Sequence, residues 1–398
     1  MLTLDKVFNA QTVLKNIIRE TNLVRAYGVV DNCELYLKPE SLQITGSFKV
    51  RGSAYKIAML SDEEKEKGVI ACSAGNHAQG VALAATKNGI KSLICLPDTA
   101  PISKVEATKG YGADVCLVEG CYDDAYKKAL ELKEKEGYTF VHPFDDENVI
   151  AGQGTIALEV LNELDDVDAI VVPVGGGGLI SGIAYTVKQI RPSVKVYGVQ
   201  VAGAPSMYNS IKDGEIECLQ SVSTIADGIA VKQPGENTYN FVKEYVDEIA
   251  LVSDDEVASA ILTLIEKQKM IAEGAGAAAV AAVMFDKFNL KGKKVVAIVS
   301  GGNIDVTSLS RVIERGLMKS GRSSSLLLEL MDKPGQLKDV SRIIADCGGN
   351  VTSVHHERAG STESVNGCYL RIKMETRNYE HVIEIKKALQ NEGFKIVE

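Results

Sequence analysis

The chain has no Cys-x-x-Cys pair, no excess of basic residues and no long unbroken apolar run. Each absence removes a class of function. The eight cysteines (33, 72, 95, 116, 121, 218, 347 and 368) are scattered, and Cys72, Cys95 and Cys116 lie inside apolar runs where a reduced thiol packs as a small hydrophobe. With 53 acidic against 44 basic residues the net charge is −9, so the phosphate-neutralising surface that nucleic-acid binding needs is not expected. The apolar stretches are short or broken, as by Glu273 in MIAEGAGAAAVAAVMF, which argues against a membrane span. The start, MLTLDKVFNAQ, lacks the apolar segment of a secretory signal. Neither an internal repeat nor a low-complexity tract is found. The expectation is a reduced, cytoplasmic chain.

What is present is a large globular composition: 398 residues, 45% hydrophobic and 24% charged, enough for two or three domains at ~100–200 residues each. From about residue 35 to 300, short β-branched runs alternate with helical stretches. The runs cover residues 34–38, 69–72, 92–96, 114–118, 140–142, 169–174, 195–201 and 295–299. Near-continuous apolar strands separated by amphipathic segments argue for parallel sheets covered by helices on both faces. Ser61 with Glu64, and Ser253 with Glu256, form capping boxes that mark helix starts. Composition changes after Arg311. GLMKSGRSSS (316–325) reads as a linker, and beyond it the order is β-α-β-β-α-β, the ferredoxin-like split unit.

Four pieces sit where open α/β sheets bind ligands. Gly175-Gly176-Gly177-Gly178, between the run AIVVPV and the helical LISGIAYTVKQI, exposes successive N–H groups beside a helix start and suits a phosphate. It is not GxGxxG and no acid is placed for a ribose, which disfavours a dinucleotide and a nicotinamide oxidoreductase. Lys49, in Ser47-Phe48-Lys49-Val50-Arg51-Gly52, lies among apolar and small residues with a second cation at Arg51. Burial and like charge both depress an amine's pKa, as a Schiff-base lysine requires. Ser73-Ala74-Gly75-Asn76-His77 follows the strand VIAC and offers N–H groups, a hydroxyl and an amide to a carboxylate. His77 is read as a structural hydrogen-bonding group before a general base. Ser300-Gly301-Gly302-Asn303 follows VVAIV and can direct a hydroxyl at a ring nitrogen.

The set TGSFKVRG, SAGNHAQG, GQGTIALE, VGGGGLISG and SGGNID resembles the threonine ammonia-lyases (threonine dehydratases). These belong to the tryptophan-synthase-β-like, fold type II pyridoxal-phosphate enzymes. The resemblance runs from about residue 5 to 318. The tail, with DKPGQL (332–337) and Gly349-Asn350, resembles a single ACT regulatory domain. It implies two parallel-sheet lobes over 1–318, the smaller inserted at about 45–145, a linker at 319–325 and an ACT domain at 326–398. Lys49 would hold pyridoxal phosphate through an imine and later take the substrate's α-proton, with Phe48 beside the ring. Gly175–Gly178 would bind the phosphate, Asn76 the ring hydroxyl and Ser300 the ring nitrogen. Ser73, Gly75, Asn76 and His77 would line the substrate carboxylate site. Gly335, Leu337 and Asn350 would bind an apolar amino-acid effector, isoleucine first, in a homo-oligomer, dimer or tetramer. Two departures matter. Ala74 stands where serine racemases carry a hydroxyl, and Gln200 and Ser206 stand where cation-binding relatives have carboxylates, so no metal is expected there and none is assigned elsewhere. The substrate is threonine, with serine also expected; the rivals are a serine dehydratase or racemase, or an amino-acid sensor with an inactive lyase half.

Overall fold

Strands that must be buried on both faces read as unbroken apolar runs, and here they close two parallel sheets. A computed structural model describes residues 2–357 and 367–397; Met1, 358–366 and Glu398 lie outside the described residues. The chain divides into two compact units, Met1–Val306 and Thr307–Glu398. In the first, one sheet runs in the order Val24–Arg25, Glu34–Pro39, Lys294–Val299, Ala169–Pro173, Lys195–Val201, Glu248–Val252. Only its first pair is antiparallel. The second sheet, all parallel, is inserted in the sequence between Glu34–Pro39 and Ala169–Pro173. It runs Asp114–Val118, Ser92–Pro97, Val69–Cys72, Thr139–Phe140.

Every residue of Val69–Cys72 and of Ala169–Pro173 is buried. Helix Gly274–Met284 is buried from Gly274 through Val283. Its glycines and alanines leave no polar face, as suits a helix enclosed on all sides. Both capping boxes form: Ser61 Oγ accepts from the Glu64 amide and Ser253 Oγ from the Glu256 amide, each glutamate reaching back to the serine N–H. Two expectations need correction. Strand Glu248–Val252 is absent from the expected runs although Ile249–Val252 is apolar throughout; four residues are too few for periodicity to tell a strand from a helical turn. His142 is not in the sheet; the strand is only Thr139–Phe140.

In the second unit, Ser323–Met331, Asn350–Glu357, Gly367–Glu375 and Lys395–Ile396 form an antiparallel sheet. Its order is Asn350–Glu357, Gly367–Glu375, Ser323–Met331, Lys395–Ile396, with helices Gln336–Asp346 and Tyr379–Asn391 between strands in sequence. Leu326, Leu328 and Leu330 alternate inward against Val340, Ile343, Ile344, Ile385 and Leu389. The expected linker at 319–325 is mostly regular structure. Helix Val306–Lys319 runs into it, and Ser323, Ser324 and Ser325 pair with Glu375, Met374 and Lys373. Small polar residues become strand here because a partner strand takes up their backbone groups. No helix among the described residues is long and apolar enough to cross a membrane.

Candidate active site

Three of the four motifs follow carboxyl ends of parallel strands: Ser73 after Val69–Cys72, the glycine loop after Ala169–Pro173, Ser300 after Lys294–Val299. The fourth opens helix Lys49–Ala58 and is stitched to the third by backbone. Phe48 N–H donates to Ser300 O (3.1 Å), Gly302 N–H to Gly46 O (2.9 Å), and Ser47 bridges Gly301. Gly46 has φ +70°, and a Cβ there would lie 2.2 Å from Asn303 Oδ1, so glycine is needed on both counts. Asn303 Nδ2 donates to Thr45 O (2.7 Å) and to Asn76 Oδ1 (2.8 Å). One amide thereby joins three of the motifs.

Lys49 Nζ donates to Pro143 O at 2.7 Å and lies 5.3 Å from the centre of the Phe48 ring. Burial lowers the amine to about 8, partly opposed by the charge of Glu273. The expected help from Arg51 is absent. Two helical positions are roughly 200° apart around the axis, so Arg51 faces the other way. It is fully buried, forked onto Glu40 (2.8 Å twice) and Glu159 (2.5 and 2.8 Å), and bonded to Thr155 (3.1 Å).

The residue after Pro143 connects this amine to the glycine loop. A Cβ at Gly176 would sit 2.5 Å from the Phe144 ring, one at Gly178 2.8 Å from Phe144 O, and one at Gly177 2.7 Å from Thr238 Cβ. Gly177, at φ +100°, caps helix Gly178–Ile190, whose first-turn amides have no partner within the helix. Such amides with the positive end of the helix favour an anion.

Asn76 begins helix Asn76–Lys87 and its Nδ2 donates to Glu273 Oε1 at 2.7 Å. Glu273 is buried, and burial followed by the charge of Asp227 raises its carboxyl to about 7 against the lowering hydrogen bond from Asn76. Its amide donates to Gly301 O at 3.1 Å. In the sequence alone Glu273 stands out only as a break in an apolar run. A single acid beside a helix of glycine and alanine was the available signal. Ser73 Oγ accepts from the Gly75 amide at 3.1 Å, and a Cβ at Gly75 would meet nothing within 4 Å. His77 turns its ring inward. Nε2 lies 2.8 Å from Val141 O, Nδ1 3.5 Å from Ser53 Oγ, and burial and then Lys49 lower the ring to about 3. These contacts hold the ring inside the core. Ser300 is buried at the strand end.

Residues 14–301 match the model of a family described as pyridoxal-phosphate dependent enzyme. The chain belongs to that family. It is similar to L-threonine ammonia-lyase of Thermotoga maritima, 49% identical over 398 residues, covering 100% of this chain and 99% of that protein. Among solved structures it is similar to threonine deaminase isoform 2 of Solanum lycopersicum, with a TM-score of 0.75, 40% identity, and coverage of 79% of this chain and 89% of that one. Maize serine racemase is similar at a TM-score of 0.75 and 34% identity, over 80% of this chain and 98% of that one.

The residues of this pyridoxal-phosphate dependent enzyme fit its cofactor. The donor set pairs an amine of lowered basicity with a glycine loop at a helix N-terminus, an amide at Asn76 and a neutral hydroxyl at Ser300. Gln200 Oε1 accepts from the Tyr208 amide at 2.7 Å, and Ser206 is buried; neither side chain carries a charge for a hard cation.

The expected effector residues do not come together within one chain. Gly335, at φ +96°, caps helix Gln336–Asp346, and Leu337 is exposed. Both follow Met331, which pairs with Gly367 at one end of the sheet. Asn350 pairs with Glu375 at the other end, about 27 Å away at ~3.4 Å per residue, and its Nδ2 donates to Glu375 Oε2 at 2.9 Å. Helix Gln336–Asp346 carries the chain between the two ends, so neighbours in motif are opposites in space.

Proposed function

We propose that this chain is a threonine ammonia-lyase converting L-threonine to 2-oxobutanoate and ammonia, and accepting L-serine to give pyruvate. The observation that carries the reading is Lys49, a part-buried amine lowered to about 8 and held one residue from the Phe144 that packs on the glycine loop. Full-length similarity to a protein named L-threonine ammonia-lyase supports the substrate.

Bound pyridoxal phosphate supplies the electron sink that stabilises negative charge at the substrate α-carbon. The amides of Gly175–Gly178 would hold its phosphate, Asn76 and Ser300 would meet its ring polar atoms, and Phe48 would pack beside it. Lys49 Nζ takes the α-proton. At pH 7 an amine titrating near 8 is about 10% neutral, roughly three-hundredfold more than an ordinary lysine. The Ser73 hydroxyl and the amides of Gly75, Asn76 and His77 orient the substrate carboxylate. Loss of the β-hydroxyl as water, then hydrolytic release of ammonia, leaves the 2-oxo acid. Ala74 offers no second proton carrier, which favours elimination over racemisation.

The division into a catalytic part over 1–318 and an ACT-type regulatory part over 326–398 belongs to the same reading. Isoleucine or another apolar amino acid is its effector. Since Gly335 and Leu337 lie far from Asn350, a site using all three takes the first two from one copy and Asn350 from another, which requires a homo-oligomer, dimer or tetramer. The free cysteines suit a reducing cytoplasm.

The test is 2-oxo-acid release from threonine and serine after supply of pyridoxal phosphate. Wild type develops colour and turns over both substrates without forming D-serine; Lys49→Ala does neither. A colourless wild type, or turnover by Lys49→Ala, overturns the reading.

A further inference from the structure

Three metal-ligating side chains of different chemistry meet at the end of the second unit's sheet, outside the residues assigned to lyase chemistry. Asp332 follows strand Ser323–Met331, His356 lies near the end of Asn350–Glu357, and Cys368 near the start of Gly367–Glu375. One ligand atom from each lies within 4.8 Å of the other two. His356 Nε2 is 3.1 Å from Cys368 Sγ.

Sheet register makes the convergence. His356 pairs with Leu370 and Leu330 with Cys368, and Leu370 is two residues from Cys368 on the same pleat face. Asp332 is two residues past Leu330, where pairing ends. Cys368 is buried beside Leu330 and Leu370 in the apolar core, while Asp332 and His356 reach it from the exposed rim. A buried thiol walled by leucines on one side, with an exposed imidazole and carboxylate on the other, makes a half-shell of three donors.

We infer that Asp332, His356 and Cys368 form a binding site for one borderline divalent cation of the zinc type. Tetrahedral zinc with ligands at ~2.0–2.3 Å holds its donor atoms about 3.3–3.8 Å apart, a spacing these three reach by small side-chain rotations. Thiolate with imidazole selects zinc, cobalt or nickel over calcium and magnesium, which take oxygen ligands. Three protein ligands leave a fourth position for water or an incoming group. Binding releases the Cys368 thiol proton, so it strengthens as pH rises.

The experiment uses the full-length holoenzyme and Zn²⁺ itself. Zinc per chain is measured by atomic emission after dialysis, affinity by competition with a chromophoric chelator, and access to Cys368 by alkylation and mass spectrometry of its peptide. Wild type binds one zinc per chain more than His356→Gln, and zinc protects Cys368 from alkylation. Asp332→Asn, His356→Gln and Cys368→Ser each weaken binding by about tenfold or more, whereas Cys121→Ser, at an exposed thiol elsewhere, changes nothing. If Cys368→Ser unfolds the unit, His356→Gln at the rim and the protection assay still decide. Equal zinc in wild type and His356→Gln, or alkylation of Cys368 unaffected by zinc, overturns the inference.

Discussion

Lys49 and Arg51 are two residues apart, and burial treats them oppositely. Arg51 has two carboxylates in fork geometry, and its pKa is raised despite desolvation. Lys49 has a carbonyl and a distant acid, and its pKa falls. His77 extends the contrast. Its ring is neutral in the fold at about 3 against an ordinary 6.5, so between these values the unfolded chain binds the extra proton. Stability therefore rises with pH from 3 to 6.5, is fully present above 6.5, and is lost as pH falls. In urea unfolding at pH 7 and pH 4, His77→Asn should lose less stability on acidification than wild type. Between pH 7 and pH 4 the difference is at most about 3 kcal/mol. Equal losses would mean that the buried ring is not the titrating group.

At the scale of elements, the glycine loop depends on what covers it. Gly176→Ala places a methyl group against the Phe144 ring and forces that ring or the loop to move. Overpacking of this kind costs about 1–3 kcal/mol. Because the displaced parts adjoin the Lys49 acceptor, the variant should bind pyridoxal phosphate more weakly by spectrophotometric titration, with secondary structure unchanged by circular dichroism. Wild-type affinity would show that the loop has slack. What could be read from sequence follows the same physics. Strand Val69–Cys72 was legible to the residue because enclosure on both faces leaves only apolar side chains, and Lys195–Val201 because only its first residue is exposed; Asp114–Val118, an exposed edge strand, was legible from its β-branched run alone. Edge strand Glu248–Val252 was not, because the four apolar residues Ile249–Val252 are too short a run to separate strand from helix by periodicity. The motifs carrying Lys49, Asn76, Gly175–Gly178 and Ser300 were visible as loops of small residues. Glu273 was not, because its meaning comes from Asn76, nearly two hundred residues away in sequence. The separation of Asn350 from Gly335 was likewise invisible, as only strand register reveals it.

For the whole molecule, every residue proposed for cofactor and substrate lies in Met1–Val306, and every residue proposed for an effector in Thr307–Glu398. A chain ending at Lys319 should therefore release 2-oxobutanoate at the same rate with and without isoleucine, while isoleucine slows the full-length chain. Steady-state rates at several isoleucine concentrations check this. A full-length chain indifferent to isoleucine, valine and phenylalanine would remove the regulatory reading and leave the lyase intact.

The pairing of the large sheet also sets a timetable for synthesis. Strand Glu34–Pro39 is bonded along its length to Lys294–Val299, and the lysine loop to residues just beyond, so roughly 250 residues must follow Lys49 out of the ribosome before its surroundings exist. At about 5–20 residues per second that takes roughly 13–50 s. Until the last strand of the sheet arrives, the loop that carries Lys49 lacks the backbone partners at Ser300–Gly302 that fix its place.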